Sequence, residues 1–184
     1  MNILVVSLGA LLHDIADAKF NDGDESLGPN MAENFLLSIN VPTETINHVV
    51  KIIKLSSFKA GLSDGKIKKQ LFRSKELQVV QDADRLDAIG AIGIARAFNY
   101  GGFKNRLLYD PNTPPNLQMT KEEYKKSTAP TINHFYEKLL LLKEKMNTET
   151  GKRLAKERHQ FMIEYLEQFY KEWDPLTFKK MYNP

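Results

Sequence analysis

Two short stretches of this sequence carry residues that a packing core has no use for. In "LLHDIAD" (11–17) a histidine and an aspartate, His13 and Asp14, follow an apolar run, and Asp17 lies one helical turn beyond them. In "QDADRLDAIGAIGIARAFNYGG" (81–102) three aspartates and Arg85 fall within a few residues of one another, inside an otherwise apolar segment. Asp84 and Asp87 are three apart and share a helix face, and Ala88, Ala91 and Ala95 continue the Asp84 stripe with small side chains. Buried carboxylates are costly unless they are paired or bound to a cation. If the two stretches face each other, a ring nitrogen of His13 and oxygens of Asp14 and Asp84 converge on one divalent ion. A nitrogen and oxygen set without thiolate suits Mn²⁺ or Mg²⁺ best, with Fe²⁺ and Zn²⁺ also compatible. An ion so held keeps positions open for water and a phosphoryl oxygen. On spacing alone the blander readings stand beside this one: a His-Asp dipeptide also serves as a structural pair or a cap, and an acidic helix as a solvated face.

The elements that must position these residues read as helices. Ile3 to Asp14 is apolar on most sides, as in a buried helix; it is too short to span a bilayer and lacks the basic start of a signal sequence. "NDGDESLGPN" (21–30) reads as a loop, and Met31 to Ile39 as a short amphipathic helix. Pro42 opens the next helix, with Ile46, Val49, Val50 and Ile53 on one stripe. The spacing predicts one helix from Ser74 to about Phe98, interrupted by Gly90 and Gly93 and ended by "NYGG" (99–102). Thr120 is placed to cap a helix at "KEEY". Two long helices over about 121–146 and 149–173, joined by "MNTET", predict an antiparallel pair. No stretch alternates as a strand does, so the fold class is all-α. The organisation expected is one domain over 1–184, with the metal-site core in 1–105 and the helical pair in 119–173.

Composition excludes several functions. With 184 residues, 42% hydrophobic and 27% charged, the chain suits one ordinary globular domain. A net charge of +3 gives no argument for nucleic acid or membrane as partner, and glutamates interleave with the basic residues of 121–158 as on a solvated helix. The absence of cysteine removes disulfides, thiol catalysis and Cys-ligated zinc, and fits a reducing, cytoplasmic setting.

The strings "ALLHDIADAKF", "SSFK", "DADRLDAIGA" and "NHFYEKLLLLKEKMNTETGKRLAKERHQFM" together resemble the small bacterial HD-domain metal-dependent phosphohydrolases, over nearly the whole chain. The resemblance implies an all-α HD-domain bundle with the metal between helices, held by His13, Asp14 and Asp84, and a phosphorylated small molecule, often a nucleotide, as substrate. Arg85 stands where relatives carry a basic residue suited to phosphate. Ser57, Phe58 and Lys59 would belong to the pocket mouth. One departure matters. HD domains take a first histidine ligand from a helix upstream of the HD pair, and no histidine precedes His13 here. Either the sequence is truncated at its start, or the protein lacks one of about four protein contacts to the metal.

Other residues are candidates with ordinary alternatives beside them. Asp17 is placed to orient a ligand imidazole or water, or to end a helix. Lys19 and Arg96 are placed to neutralise phosphate, or to sit exposed. Asp87 is placed to accept a proton or anchor His13, or to pair with Arg85 or Arg96. Among the remaining histidines, His134 suits a pocket wall or a core, His48 a helix edge, and His159 a structural place. Phe161, Tyr165, Phe169 and Trp173 suit the domain's own core or a homodimer contact. The rival to catalysis is an HD scaffold that binds a nucleotide or a partner and does no chemistry.

Overall fold

A computed structural model describes residues 1–16, 21, 23–56 and 72–174. Among them there is no strand, and the order is α1 (Ile3–Leu12), α2 (Leu27–Ser38), α3 (Thr43–Ser56), α4 (Lys75–Asp87), α5 (Gly90–Phe103), α6 (Lys121–Lys126), α7 (Thr131–Glu137), a 3-10 segment (Leu139–Lys145) and α8 (Glu149–Trp173). The all-α class is therefore what the chain adopts. It gathers into two compact units, Met1–Asp84 with Gln118–Ser127, and Arg85–Leu117 with Thr128–Pro184.

In the first unit α3 packs against both α1 and α2. Its stripe of Ile46, Val49, Val50 and Ile53 is buried, with Ile52 beside it, against Val5, Leu12, Ala32, Leu36, Leu77 and Val80. Truncating a wholly buried leucine such as Leu36 costs about 2–5 kcal/mol. α1, expected to be a buried helix, enters this core only through Val5, Gly9 and Leu12, with Ile3, Leu4 and Leu11 exposed. Asn2 caps α1 by accepting from the Val5 amide at 3.3 Å, and its own amide donates to Glu76 Oε1 at 2.7 Å. α2 starts at Leu27, four residues before the predicted Met31. Asp24 takes bonds from the Ser26 amide and hydroxyl at 2.8 and 2.7 Å, which closes the turn. Pro29 then falls in the first turn, where a missing N–H breaks no helix bond. Thr120 and Glu123 cap each other at the start of α6 in a capping box.

The second unit departs more from the sequence reading. The helix predicted over 74–98 is two helices. Ile89 is extended and Gly90 takes φ +79°, a left-handed conformation open to glycine. A Cβ on Gly93 would lie 2.3 Å from the Ala88 carbonyl oxygen, so the chain can turn this tightly only with glycine there. The turn also interrupts the single stripe drawn from Asp84 through Ala88, Ala91 and Ala95. α5 then runs through "NYGG" to Phe103. The stop comes at Asn105, with φ 53° and the Arg106 amide bonded back to the Gly101 carbonyl at 2.9 Å.

The long helix predicted over 121–146 is α6, α7 and the 3-10 segment. Pro130 carries no N–H and holds the residue before it extended, so α7 has to start afresh after it. Lys138, at φ −144°, breaks the chain again. The predicted antiparallel pair is thus one long helix, α8, packed on α5 and the 3-10 segment. Thr148 caps α8 through the Gly151 amide at 3.0 Å. Its buried stripe is Gly151, Ala155, Met162 and Leu166, while Phe161 is exposed. Phe98, Phe135 and Tyr165 meet ring to ring at about 6 Å, and Tyr165 and Phe169 carry the aromatic row toward Trp173.

Candidate metal centre

α1 ends at Leu12, and His13 and Asp14 follow it in a turn that stays near helical geometry, His13 having φ −61° and ψ −29°. The close of α1 fixes the imidazole. His13 Nδ1 lies 2.7 Å from the Ala10 carbonyl oxygen, which only accepts, so Nδ1 carries the proton. Nε2 is left pointing the other way, 3.4 Å from Asp14 Oδ2 and 3.7 Å from Asp84 Oδ1 on the last turn of α4. The imidazole is largely covered (23% exposed), Asp84 half-buried (39%) and Asp14 open to solvent (69%).

This hub fits a divalent ion in its chemistry. Two donors each about 2.1 Å from a cation lie about 3.0 Å apart at a right angle and about 4.2 Å apart when opposite. Both separations from Nε2 fall between these limits. A backbone carbonyl on the far ring nitrogen is the support that metal-bound histidines usually have. Two carboxylates match the charge of a divalent ion. The hub is nevertheless sparse, since the described residues contain no group of three or more His, Asp or Glu side chains drawn together as a finished metal cage. Without metal a proton takes its place. The Asp84 carboxylate, facing the ring at 3.7 Å, pushes the His13 pKa up to about 9, opposed by burial and helped by the Ala10 carbonyl and the Asp14 charge.

The other candidates are placed as follows. Asp17, Lys19, Ser57, Phe58 and Lys59 lie outside the described residues. In the second unit, the Asp87 carboxylate is ion-paired with Arg96, one of the pairings left open by the sequence. The Arg85 guanidinium donates to the Lys145 carbonyl. His134 is half-buried on α7. His48 bonds Ser74 Oγ at 2.9 Å, at the edge of α3 as predicted. His159 has a buried Nδ1 without a hydrogen bond, and burial with the nearby Lys143 charge lowers its pKa.

Sequence reasoning missed two residues of the first unit. Asp82, the first aspartate of "DADRLD", is 3% exposed, deeper than Asp84. Gln81 ties α4 to α3 by donating to the Leu55 carbonyl at 2.8 Å. The period from Leu77 and Val80 gave a signal, for position 81 continues that buried stripe at helical spacing.

Known proteins resemble this chain in sequence and in fold. The HD domain model matches residues 1–89, which contain all three members of the hub. YpgQ of Bacillus subtilis strain 168 is 38% identical over 171 residues, spanning 93% of this chain and 73% of YpgQ. The chain belongs to the HD-domain family. Crystal structures of relatives superpose on it: a protein from Lactobacillus plantarum (40% identity, 94% of this chain and 77% of that one, TM-score 0.79) and an HD-superfamily hydrolase from Bacillus thuringiensis (42%, 94% and 74%, TM-score 0.66). YpgQ itself has been solved in complex with ADP (34%, 93% and 77%, TM-score 0.67). HD-domain hydrolases depend on divalent metal ions. No helix among the described residues is long and apolar enough to cross a membrane.

Proposed function

We propose that this HD-domain protein is a metal-dependent phosphohydrolase whose substrate is a phosphorylated small molecule, a nucleotide first among them. The observation that carries the reading is the His13 ring, pinned through Nδ1 to Ala10 and presenting Nε2 toward Asp14 and Asp84. Mn²⁺ or Mg²⁺ held there would neutralise charge on a phosphoryl oxygen and acidify a water. The chain's own part is to hold the ring in one tautomer, supply two negative charges, and keep one side of the hub open through the exposed Asp14. ADP bound to YpgQ supports a nucleotide as ligand. Lys19, Arg85, Arg96 and His134 are the candidates for substrate contact. Asp17 is the candidate for orienting the hub, and Asp87 holds Arg96.

The test is a panel of nucleoside mono-, di- and triphosphates and simple phosphate esters, assayed with Mn²⁺, with Mg²⁺ and with a chelator. Metal-dependent release, lost in His13→Ala, Asp14→Ala and Asp84→Ala, is the expected result. Unchanged turnover in all three variants overturns the proposal. The sparse donor set favours one second reading, an HD scaffold that binds nucleotide without cleaving it. Saturable nucleotide binding with no product at any metal concentration decides for that reading.

A further inference from the structure

We infer that Gly9 is a positioning residue for the hub, setting how closely His13, at the close of α1, approaches Asp84 on α4. Its consequence for metal binding rests on the function proposed above; its geometry rests on helix packing alone.

Gly9 is buried in α1. A Cβ there would lie 3.2 Å from Ile52 Cγ2 on α3 and 3.4 Å from Val80 Cγ2 on α4. His13 follows Gly9 by four residues, and Asp84 follows Val80 by four. Residues four apart lie on the same face, so the Gly9–Val80 contact is one turn before the His13–Asp84 pair on both helices. The bond from the Asn2 amide to Glu76 Oε1, at 2.7 Å, joins the starting ends of the same helices. α1 and α4 therefore point the same way, linked at the start through Asn2 and Glu76, touching at Gly9 and Val80, and meeting at the end in the hub.

Neither neighbour of Gly9 can move aside. Ile52 and Val80 are buried to within 1%, and β-branched side chains have little rotamer freedom in a helix. A single added carbon crowds Ile52 by a few tenths of an ångström and just touches Val80, whereas the branches of a valine have no room and push α1 away from α3 and α4, one turn from the site. The site has little room for this. The separation of 3.7 Å between His13 Nε2 and Asp84 Oδ1 is within half an ångström or so of the about 4.2 Å beyond which two donors no longer share an ion. Alanine is also the better helix former at an interior position, so glycine stands here against propensity, and close packing supplies the reason.

The experiment uses the whole chain as Gly9→Ala, Gly9→Val and Gly9→Val with Val80→Ala. Crystal structures read the His13–Asp84 separation, Mn²⁺ titration followed by electron paramagnetic resonance reads affinity, and circular dichroism with thermal melting reads the fold. Gly9→Val is expected to widen the separation past about 4.2 Å and to weaken Mn²⁺ binding about tenfold or more. Adding Val80→Ala makes room at the contact and should return both toward wild type. Gly9→Ala should fall between, with a melting temperature equal to or above that of wild type. Folded variants that keep the wild-type separation overturn the inference, as does a widened site that Val80→Ala fails to narrow. If Gly9→Val does not fold, the separation and affinity of Gly9→Ala decide. A wild type that binds no Mn²⁺ sinks the metal reading, while the separations still decide the role of Gly9.

Discussion

Asp84 and Asp87 come from one string, "DADRLD", and sit three apart on one helix, yet they end in different company. Asp84 is half-buried against an imidazole whose other nitrogen is already fixed by a carbonyl. Asp87 lies in the second unit, exposed, and pairs with an equally exposed arginine. Charge and helix face are nearly the same for both. Covered surroundings and a pinned partner make Asp84 a candidate ligand, whereas solvent screening leaves Asp87 an ordinary surface ion pair.

The largest effect should separate the two aspartates outright. Asp84→Ala is expected to lower kcat/KM on the best phosphorylated substrate by on the order of a thousandfold, the several kcal/mol that a bound metal supplies. Asp87→Ala should stay within about fivefold. Equal losses in steady-state kinetics would erase the distinction.

A smaller effect should follow the His13 proton. Metal and proton compete for Nε2, so below the pKa of about 9 the apparent Mn²⁺ affinity should climb about tenfold per pH unit, or about a hundredfold from pH 6 to pH 8, as read by titration under anaerobic conditions. The stability effect of the metal-free protein has the opposite slope. The folded pKa lies above the ordinary histidine value of 6.5. The proton's stabilisation is therefore complete below about pH 6.5 and is lost as pH rises through about 9. The melting temperature should fall across that window, and His13→Ala should flatten the fall. A profile that is level in wild type would show that Asp84 does not hold the ring.

The hub was legible in the sequence because its donors are rare residue types in apolar surroundings, and because HD and the later aspartate recur together in a known family. The all-α class was legible from periodicity. What failed was continuity. The apolar spacing of 74–98 continues across the turn at Ala88 and Ile89, and a period says nothing about a positive φ at Gly90. Pro130 marks the break in 121–146, a signal that the leucine spacing on either side hides. Depth is not legible from the string either: Asp82 is more buried than Asp84.

The break after α4 gives the next prediction in size. Gly90 has φ +79°, and a Cβ on it would lie 3.0 Å from Arg158 Cγ, on a side chain that also donates to the Leu86 carbonyl. Gly90→Ala should destabilise by about 2 kcal/mol from the left-handed backbone and the crowding together. Arg158→Ala added to it should cost less than the sum of the two single changes, because the clash is gone. Chemical denaturation of the four proteins measures this; strict additivity would show that Arg158 does not pack on the turn.

The smallest effect belongs to Asp87 and Arg96, and it closes the comparison with Asp84. Their side chains are 63% and 59% exposed, so water and salt screen the attraction. Arg96 also reaches the Asp87 backbone carbonyl at 3.4 Å, a contact that outlives the carboxylate. Each single change, Asp87→Ala or Arg96→Ala, should cost under about 1 kcal/mol, and the coupling energy from the double-mutant cycle should be about 0.5 kcal/mol at low salt, fading by 1 M salt. A coupling of several kcal/mol that ignores salt would mean that the pair is covered in solution. Asp87 would then stand beside Asp84 as a residue whose surroundings, and not its charge alone, set what it does.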